Sequence, residues 1–218
     1  DVTFEIVGVD DGSTDSSLSL LRGYQENNEC IRVVSKLNGG AASARNVAMS
    51  LAKGEYLAFI DPDDYFASDD SLAKLYSAAK ENKAMVCGGS FSCVNMDGSF
   101  EEDFYGDASA YSVKKEGFKL FEEDAFDYGW IRYIYNREFM ESKNLVFPAL
   151  RWYEDPVFFV DVMKKAQRYY LIPEVVYRYR VGYKTTKWAP SRVRDLLKGI
   201  GHNLDYAKET GNSTLYTR

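Results

Sequence analysis

At 218 residues the chain is long enough for one α/β domain with a sizeable core, or a core plus an appendage. Its apolar share of 45% and charged share of 28% are those of an ordinary globular protein. No run of about 18 apolar residues is present to cross a membrane. The net charge of −6 is unevenly spread: residues 1–150 carry 14 basic and 26 acidic side chains, residues 151–218 carry 13 and 7. An acidic body argues against nucleic acid as the main partner. The basic C-terminal part could meet phosphates or an anionic membrane face, or simply be solvated. Cys30, Cys87 and Cys93 are odd in number and form no Cys-x-x-Cys, which suits reduced thiols in the cytoplasm. His202 is the single histidine, so acid–base work falls to carboxylates, Lys or Tyr. The 17 Tyr and 13 Phe fit a packed core, or surfaces on which sugars or bases stack.

In chain order, Phe4 to Val9 reads as a strand ending at Asp10-Asp11-Gly12-Ser13. A helix over 14–28 follows, with Leu18, Leu21 and Tyr24 on one face. Ile31 to Val34 is a second strand, and Asn38-Gly39-Gly40 a tight loop. Ala41 to Lys53 is an Ala-rich helix stopped by Gly54. Tyr56 to Ile60 is a third strand, Ser71 to Asn82 a helix, and Ala84 to Cys87 a strand. From Asn95 to Asp127 no period is clear; the expectation is loops with a helix near 114–125. Trp130 to Tyr135 reads as a strand and Asp155 to Lys165 as a helix. Tyr170 to Pro173 and Val175 to Arg180 read as extended. Over 191–209 the spacing predicts a helix with Val193, Leu196, Leu197, Ile200 and Leu204 on one face. Such alternation predicts an α/β fold with a mostly parallel sheet flanked by helices and a C-terminal helical extension. Ligands of such sheets bind beyond the C-terminal strand ends. The polar clusters Asp10–Asp15, Asn38–Asn46 and Asp61–Asp64 all fall at that edge.

Each cluster has a chemical reading and a plain one. Asp10 and Asp11 at a strand end could accept from an imide N–H or from ribose hydroxyls, with Ser13 beside them; Asp-Gly-Ser-Thr-Asp is equally a turn with a helix cap. Arg45, one turn into a helix that follows a Gly-rich loop, could reach a diphosphate or a base carbonyl, or pair at the surface. Asp61-Pro62-Asp63-Asp64 ends an apolar run in three carboxylates. Alternate residues of an extended chain share a side, so Asp61 and Asp63 can face one target. Like charges so placed favour a cation between them, and oxygen-only ligands select Mg²⁺ or Mn²⁺; a solvated turn is the plain reading. Glu154-Asp155 opens a helix at Pro156. Asp155 there is a cap, or a base facing a pocket lined by Trp152 and Tyr153.

These blocks, Val9 to Asp15, Asn38 to Asn46, Ala52 to Asp64, and Glu154-Asp155 before an aromatic helix, resemble the inverting glycosyltransferases of family 2, whose fold is called GT-A. The resemblance is strong over 4–66 and moderate over 129–180. It implies residues 1–190 as the glycosyltransferase domain, with 1–94 binding the nucleotide-sugar and 95–190 on the acceptor side, and 191–218 as a helical segment. It implies Asp10 and Asp11 at the nucleobase and Arg45 at the nucleotide. Asp61 and Asp63 would form the metal motif, Asp63 being the favoured direct ligand of Mn²⁺ or Mg²⁺. Asp155 would be the base, with Glu154 beside it. Trp130 would border the acceptor site, and Arg180 or Lys184, after the Tyr179-Arg180 stretch, would steady the leaving diphosphate.

The implied partners are a UDP-linked donor and a glycan or lipid-linked glycan acceptor. The implied place is the cytoplasm, with peripheral contact at the inner membrane face. Family members also carry a strand and helix ahead of the strand at Phe4. Because this sequence opens at Asp1, it reads as a piece of something longer and is expected to bind a donor poorly by itself. A non-catalytic nucleotide- or carbohydrate-binding domain on the same fold is the alternative. A nucleotidyltransferase would need a Gly-rich loop with Lys or Arg near the first strand, which is absent here.

Overall fold

The computed structural model describes residues 2–101, 111–123, 125–182 and 188–217. Its strands are β1 (Ile6–Asp10), β2 (Ile31–Ser35), β3 (Tyr56–Ala58), β4 (Tyr65–Phe66), β5 (Val86–Val94), β6 (Phe100–Glu101), β7 (Gly117–Leu120), β8 (Tyr133–Asn136) and β9 (Arg168–Arg180). Its helices are α1 (Ser17–Glu26), α2 (Ala41–Leu51), α3 (Ser71–Glu81), α4 (Arg137–Ser142), α5 (Glu154–Ala166), α6 (Pro190–Thr210) and α7 (Ser213–Thr217). The α/β class holds, with helices flanking the sheets.

Two sheets form. β1 and β2 pair in parallel, and the larger sheet runs β3-β8-β5-β9-β4, with β6 on β5 and β7 on β9. β8 is antiparallel to both β3 and β5, and β5 is parallel to β9, so β3, β5 and β9 share one direction. Central β5 is buried along its whole length, as expected of a strand covered on both faces.

The aromatic wealth is mostly core. Phe59 makes edge or tilted contacts with Trp130, Tyr135, Phe147 and Phe158, and Phe147 stacks on Phe158 at 3.8 Å. The long C-terminal helix joins this core through Ala207, and Leu215 of α7 does the same.

Three expectations are corrected. The helix expected near 114–125 is replaced by β7, antiparallel to Arg168–Leu171 of β9; the free edge of a long strand outweighs local propensity there. The two extended pieces around Pro173 are one continuous strand. The strand expected from Trp130 begins as a 3-10 turn over Trp130–Arg132, so β8 starts only at Tyr133. In addition, α6 buries Gly199, Asn203 and Ala207, while Val193 and Leu197 of the apolar stripe stay 40% and 64% exposed. No helix among the described residues is long and apolar enough to cross a membrane.

Candidate active site

The parallel register sets Asp10 opposite Ser35, at the ends of β1 and β2. Ser35 donates its hydroxyl to Asp10 Oδ2 at 2.9 Å, and the Ser13 N–H reaches Oδ1 at 3.1 Å. Hydrogen bonds from Ser13 and Ser35 hold this carboxyl below its ordinary range. Asp10 is therefore a buried turn-former.

Asp11 ties the same turn to the loop before α2. Its Oδ1 accepts from Lys36 Nζ at 2.6 Å and from the Gly39 N–H at 2.9 Å, and its Oδ2 from the Gly40 N–H at 2.7 Å. Burial pushes its carboxyl up, but Lys36 and the two amides outweigh that and lower it. Gly12 follows at φ +76°, where an added Cβ would lie 3.0 Å from the Asn38 nitrogen. Only glycine lets the acidic turn approach the loop so closely.

A second cluster forms around Arg45, on the second turn of α2. Its guanidinium donates to Asp61 Oδ1 at 2.9 Å and to Glu154 Oε1 at 3.0 Å. It also lies over the Trp130 ring, 4.7 Å from the centroid. Burial opposes its charge, but Asp61 and Glu154 more than restore it. Next to Glu154, Asp155 accepts the Trp130 indole N–H on Oδ2 at 3.0 Å. Burial, then the Glu154 charge, push the Asp155 carboxyl up to about 6, against the pull of Arg45.

After β3, Asp61, Asp63 and Asp64 bring carboxylate oxygens within 4.8 Å of one another. Asp64 turns to β9: Oδ1 accepts the Arg180 N–H at 2.8 Å and Oδ2 the Tyr177 hydroxyl at 2.9 Å. The same hydroxyl accepts the Asp61 N–H at 3.2 Å. Burial raises Asp64 to about 6, although Arg180 and Tyr177 pull the other way. Asp61 gives one oxygen to Arg45. A hard divalent cation would therefore rest on Asp63 with help from Asp61, and the all-oxygen donor set fits one.

The structure thus gathers Arg45, Asp61, Asp63, Trp130, Glu154, Asp155 and the Arg180 backbone in one place. Asp10, Asp11 and Ser13 form a separate group at the head of α2. Lys184 lies outside the described residues. Trp130 does not face outward: it is 4% exposed and sits beneath the carboxylates. The exposed Arg180 guanidinium lies over the Tyr65 ring, at 5.3 Å. Sequence reasoning missed Lys36 and Tyr177. Lys36 had a visible signal, since it directly follows β2 at the same sheet edge as Asp11; Tyr177 had only the strand alternation that places it two residues before Tyr179.

An α/β sheet whose strand ends carry a carboxylate cluster, facing an acidic pair at a helix start, is the GT-A arrangement. The crystal structure of S. aureus TarS 1–349 in complex with UDP-GlcNAc has the same fold: TM-score 0.74 at 22% identity, over 93% of this chain and 58% of that one. The S. aureus TarS 1–349 structure in complex with UDP gives 0.68 at 22% identity, over 95% and 64%. The model of glycosyl transferase family 2 matches residues 2–143, and the chain belongs to that family. Its relatives include the uncharacterized glycosyltransferase EpsJ of Bacillus subtilis, 32% identical over 81% of this chain and 52% of EpsJ. Another is the poly(ribitol-phosphate) beta-glucosyltransferase of Bacillus spizizenii, 30% identical over 82% of this chain and 27% of that protein. The chain therefore spans about half the length of the first relative and about a quarter of the second. The family match ends before Glu154 and Asp155.

Proposed function

We propose that the chain carries the donor and base sites of a metal-dependent, inverting glycosyltransferase that moves a sugar from a UDP-linked donor to a glycan or lipid-linked glycan acceptor. The observation that carries this reading is the Arg45 guanidinium bridging Asp61 and Glu154. One cation joins the strand-end carboxylates to the acidic pair of α5, so a phosphate-side group and a base sit across one small space. In this reading residues 1–94 hold the nucleotide-sugar and 95–190 face the acceptor, with 191–218 as the helical segment behind them. Asp63, with Asp61, would hold Mn²⁺ or Mg²⁺; when bound, the cation neutralises charge on the departing diphosphate. Asp155 takes the proton of the acceptor hydroxyl as its oxygen attacks the anomeric carbon. The bond from that carbon to the diphosphate breaks on the opposite face, which inverts the centre. Arg180, and Lys184 beyond it, would steady the leaving group. Peripheral contact with the cytoplasmic membrane face belongs to the same reading and is supported by the basic C-terminal part.

The alternative, a domain that binds a nucleotide or carbohydrate without turnover, is favoured by the engagement of both Asp11 oxygens within the loop. A panel of UDP-sugars with Mn²⁺ and glycan acceptors, read as UDP release, separates the two. Wild type is expected to release UDP with at least one donor. Asp155→Asn should still bind UDP while losing about 100-fold or more of the release. Undiminished release by that variant would overturn the base, and inert wild type would favour the binding domain.

A further inference from the structure

We propose that the segment 127–130 is a clamp that positions Asp155, with Trp130 and Tyr153 acting through that carboxylate rather than as substrate contacts. The proposal rests on the reading of Asp155 as the base.

Tyr153, immediately before the acidic pair, holds φ +67° and ψ 22° as the residue capping α5. That is the left-handed region, which a bulky side chain occupies only where its surroundings hold it. Three features hold it here. The Tyr153 hydroxyl donates to Asp127 Oδ2 at 2.7 Å. Its ring meets the Tyr128 ring edge-on, with centroids 6.0 Å apart. The third is Gly199 of α6, which leaves room for the ring: a Cβ there would lie 2.5 Å from Tyr153 Cδ1.

Two residues further on, the clamp closes again. The Trp130 indole donates to Asp155 Oδ2 at 3.0 Å. Trp130 is itself fixed, 4% exposed and packed against Phe147 and Phe158. Its carbonyl also accepts the Tyr135 hydroxyl at 2.5 Å. One short segment therefore grips the α5 entry at two points, by a carboxylate on Tyr153 and an indole on Asp155. The indole occupies one carboxylate oxygen, leaving Oδ1 to take the proton of an acceptor. A base on the first turn of a helix needs such restraint, because a small misplacement of a reacting group is costly in rate.

The test is a carboxyl NMR titration of Asp155, its signal assigned by loss in Asp155→Asn, in wild type, Trp130→Phe and Tyr153→Phe. The other charges about Asp155 are Glu154, Arg45 and Asp61; none is removed, and Phe keeps an aromatic face beneath the Arg45 guanidinium. Trp130→Phe removes a donor to the charged form, so the midpoint should rise by roughly one pH unit. Tyr153→Phe removes a hydroxyl that does not touch Asp155, yet should also shift the midpoint, because the α5 entry loosens and the Asp155 surroundings change. Mn²⁺-dependent UDP affinity should be unchanged in both. Unchanged midpoints in both variants would overturn the clamp, and a shift in Trp130→Phe alone would overturn the part assigned to Tyr153. Loss of UDP affinity in Trp130→Phe would make Trp130 a substrate contact and overturn its positioning role. Full transfer by Asp155→Asn would instead sink the base reading, while the titration would still report on the clamp.

Discussion

Asp155 and Asp64 carry carboxyls raised to about 6, while Asp10 and Asp11 are lowered. The two pairs pull stability in opposite directions with pH. A raised carboxyl contributes stability that is fully present below its unfolded value near 4 and is lost as pH rises through about 6. A lowered one contributes above the unfolded value and loses it on acidification. Replacing Asp155 by Asn removes a charge that burial disfavours. Asp155→Asn should therefore be more stable than wild type at pH 7.5, by up to about 2–3 kcal/mol, with the gap closing by pH 4. Urea midpoints at the two pH values measure this; wild type being the more stable at pH 7.5 would contradict the assignment. The acidic pair was legible in the sequence as a carboxylate couple at a helix start. Its partner was not: Arg45 and Glu154 are separated by 109 residues, and no local pattern encodes a contact at that distance.

The elements around the Asp10–Asp15, Asn38–Asn46 and Asp61–Asp64 clusters were legible because each is short, periodic and bounded by Gly, Pro or Asp turns. Those on the far side were not. β7 depends on an edge that β9 offers only after folding, and β5 runs through Gly88-Gly89, residues that weaken any strand reading. Gly88 and Gly89 are there because Cβ atoms would lie 2.2 Å from the Tyr133 ring and 2.7 Å from the Glu174 carbonyl. The same logic governs α6, whose apolar stripe suggested one packed face while Gly199 lies on another, against Tyr153. Gly199→Ala should destabilise by about 1–3 kcal/mol through overpacking against Tyr153. Gly201→Ala meets nothing within 4 Å and should stabilise by about 0.5–1 kcal/mol through helix propensity. Thermal denaturation of both variants tests the packing; equal effects would contradict it.

Across the whole molecule, β1 closes one sheet and β3 the other, and the two are not hydrogen-bonded to each other among the described residues. The head of α2 is tied to β1 through Asp11, and its second turn reaches both Asp61 after β3 and Glu154 of α5. That helix is the physical link between the acidic turn and the carboxylate cluster, two separate groups held at its first and second turns. Charge does not follow the same division, since residues 1–150 supply Asp61, Asp63 and Arg45 while the more basic part supplies Arg180 together with Glu154 and Asp155. The central claim is that Asp63 and Asp61 hold a divalent cation facing a nucleoside diphosphate. The most direct measurement is a calorimetric titration of UDP into wild type and Asp63→Ala, with Mn²⁺ and with chelator. The expected result is weak binding, no tighter than about micromolar, that requires Mn²⁺ in wild type and disappears in Asp63→Ala; equal UDP binding by both proteins, with or without the metal, would contradict the account.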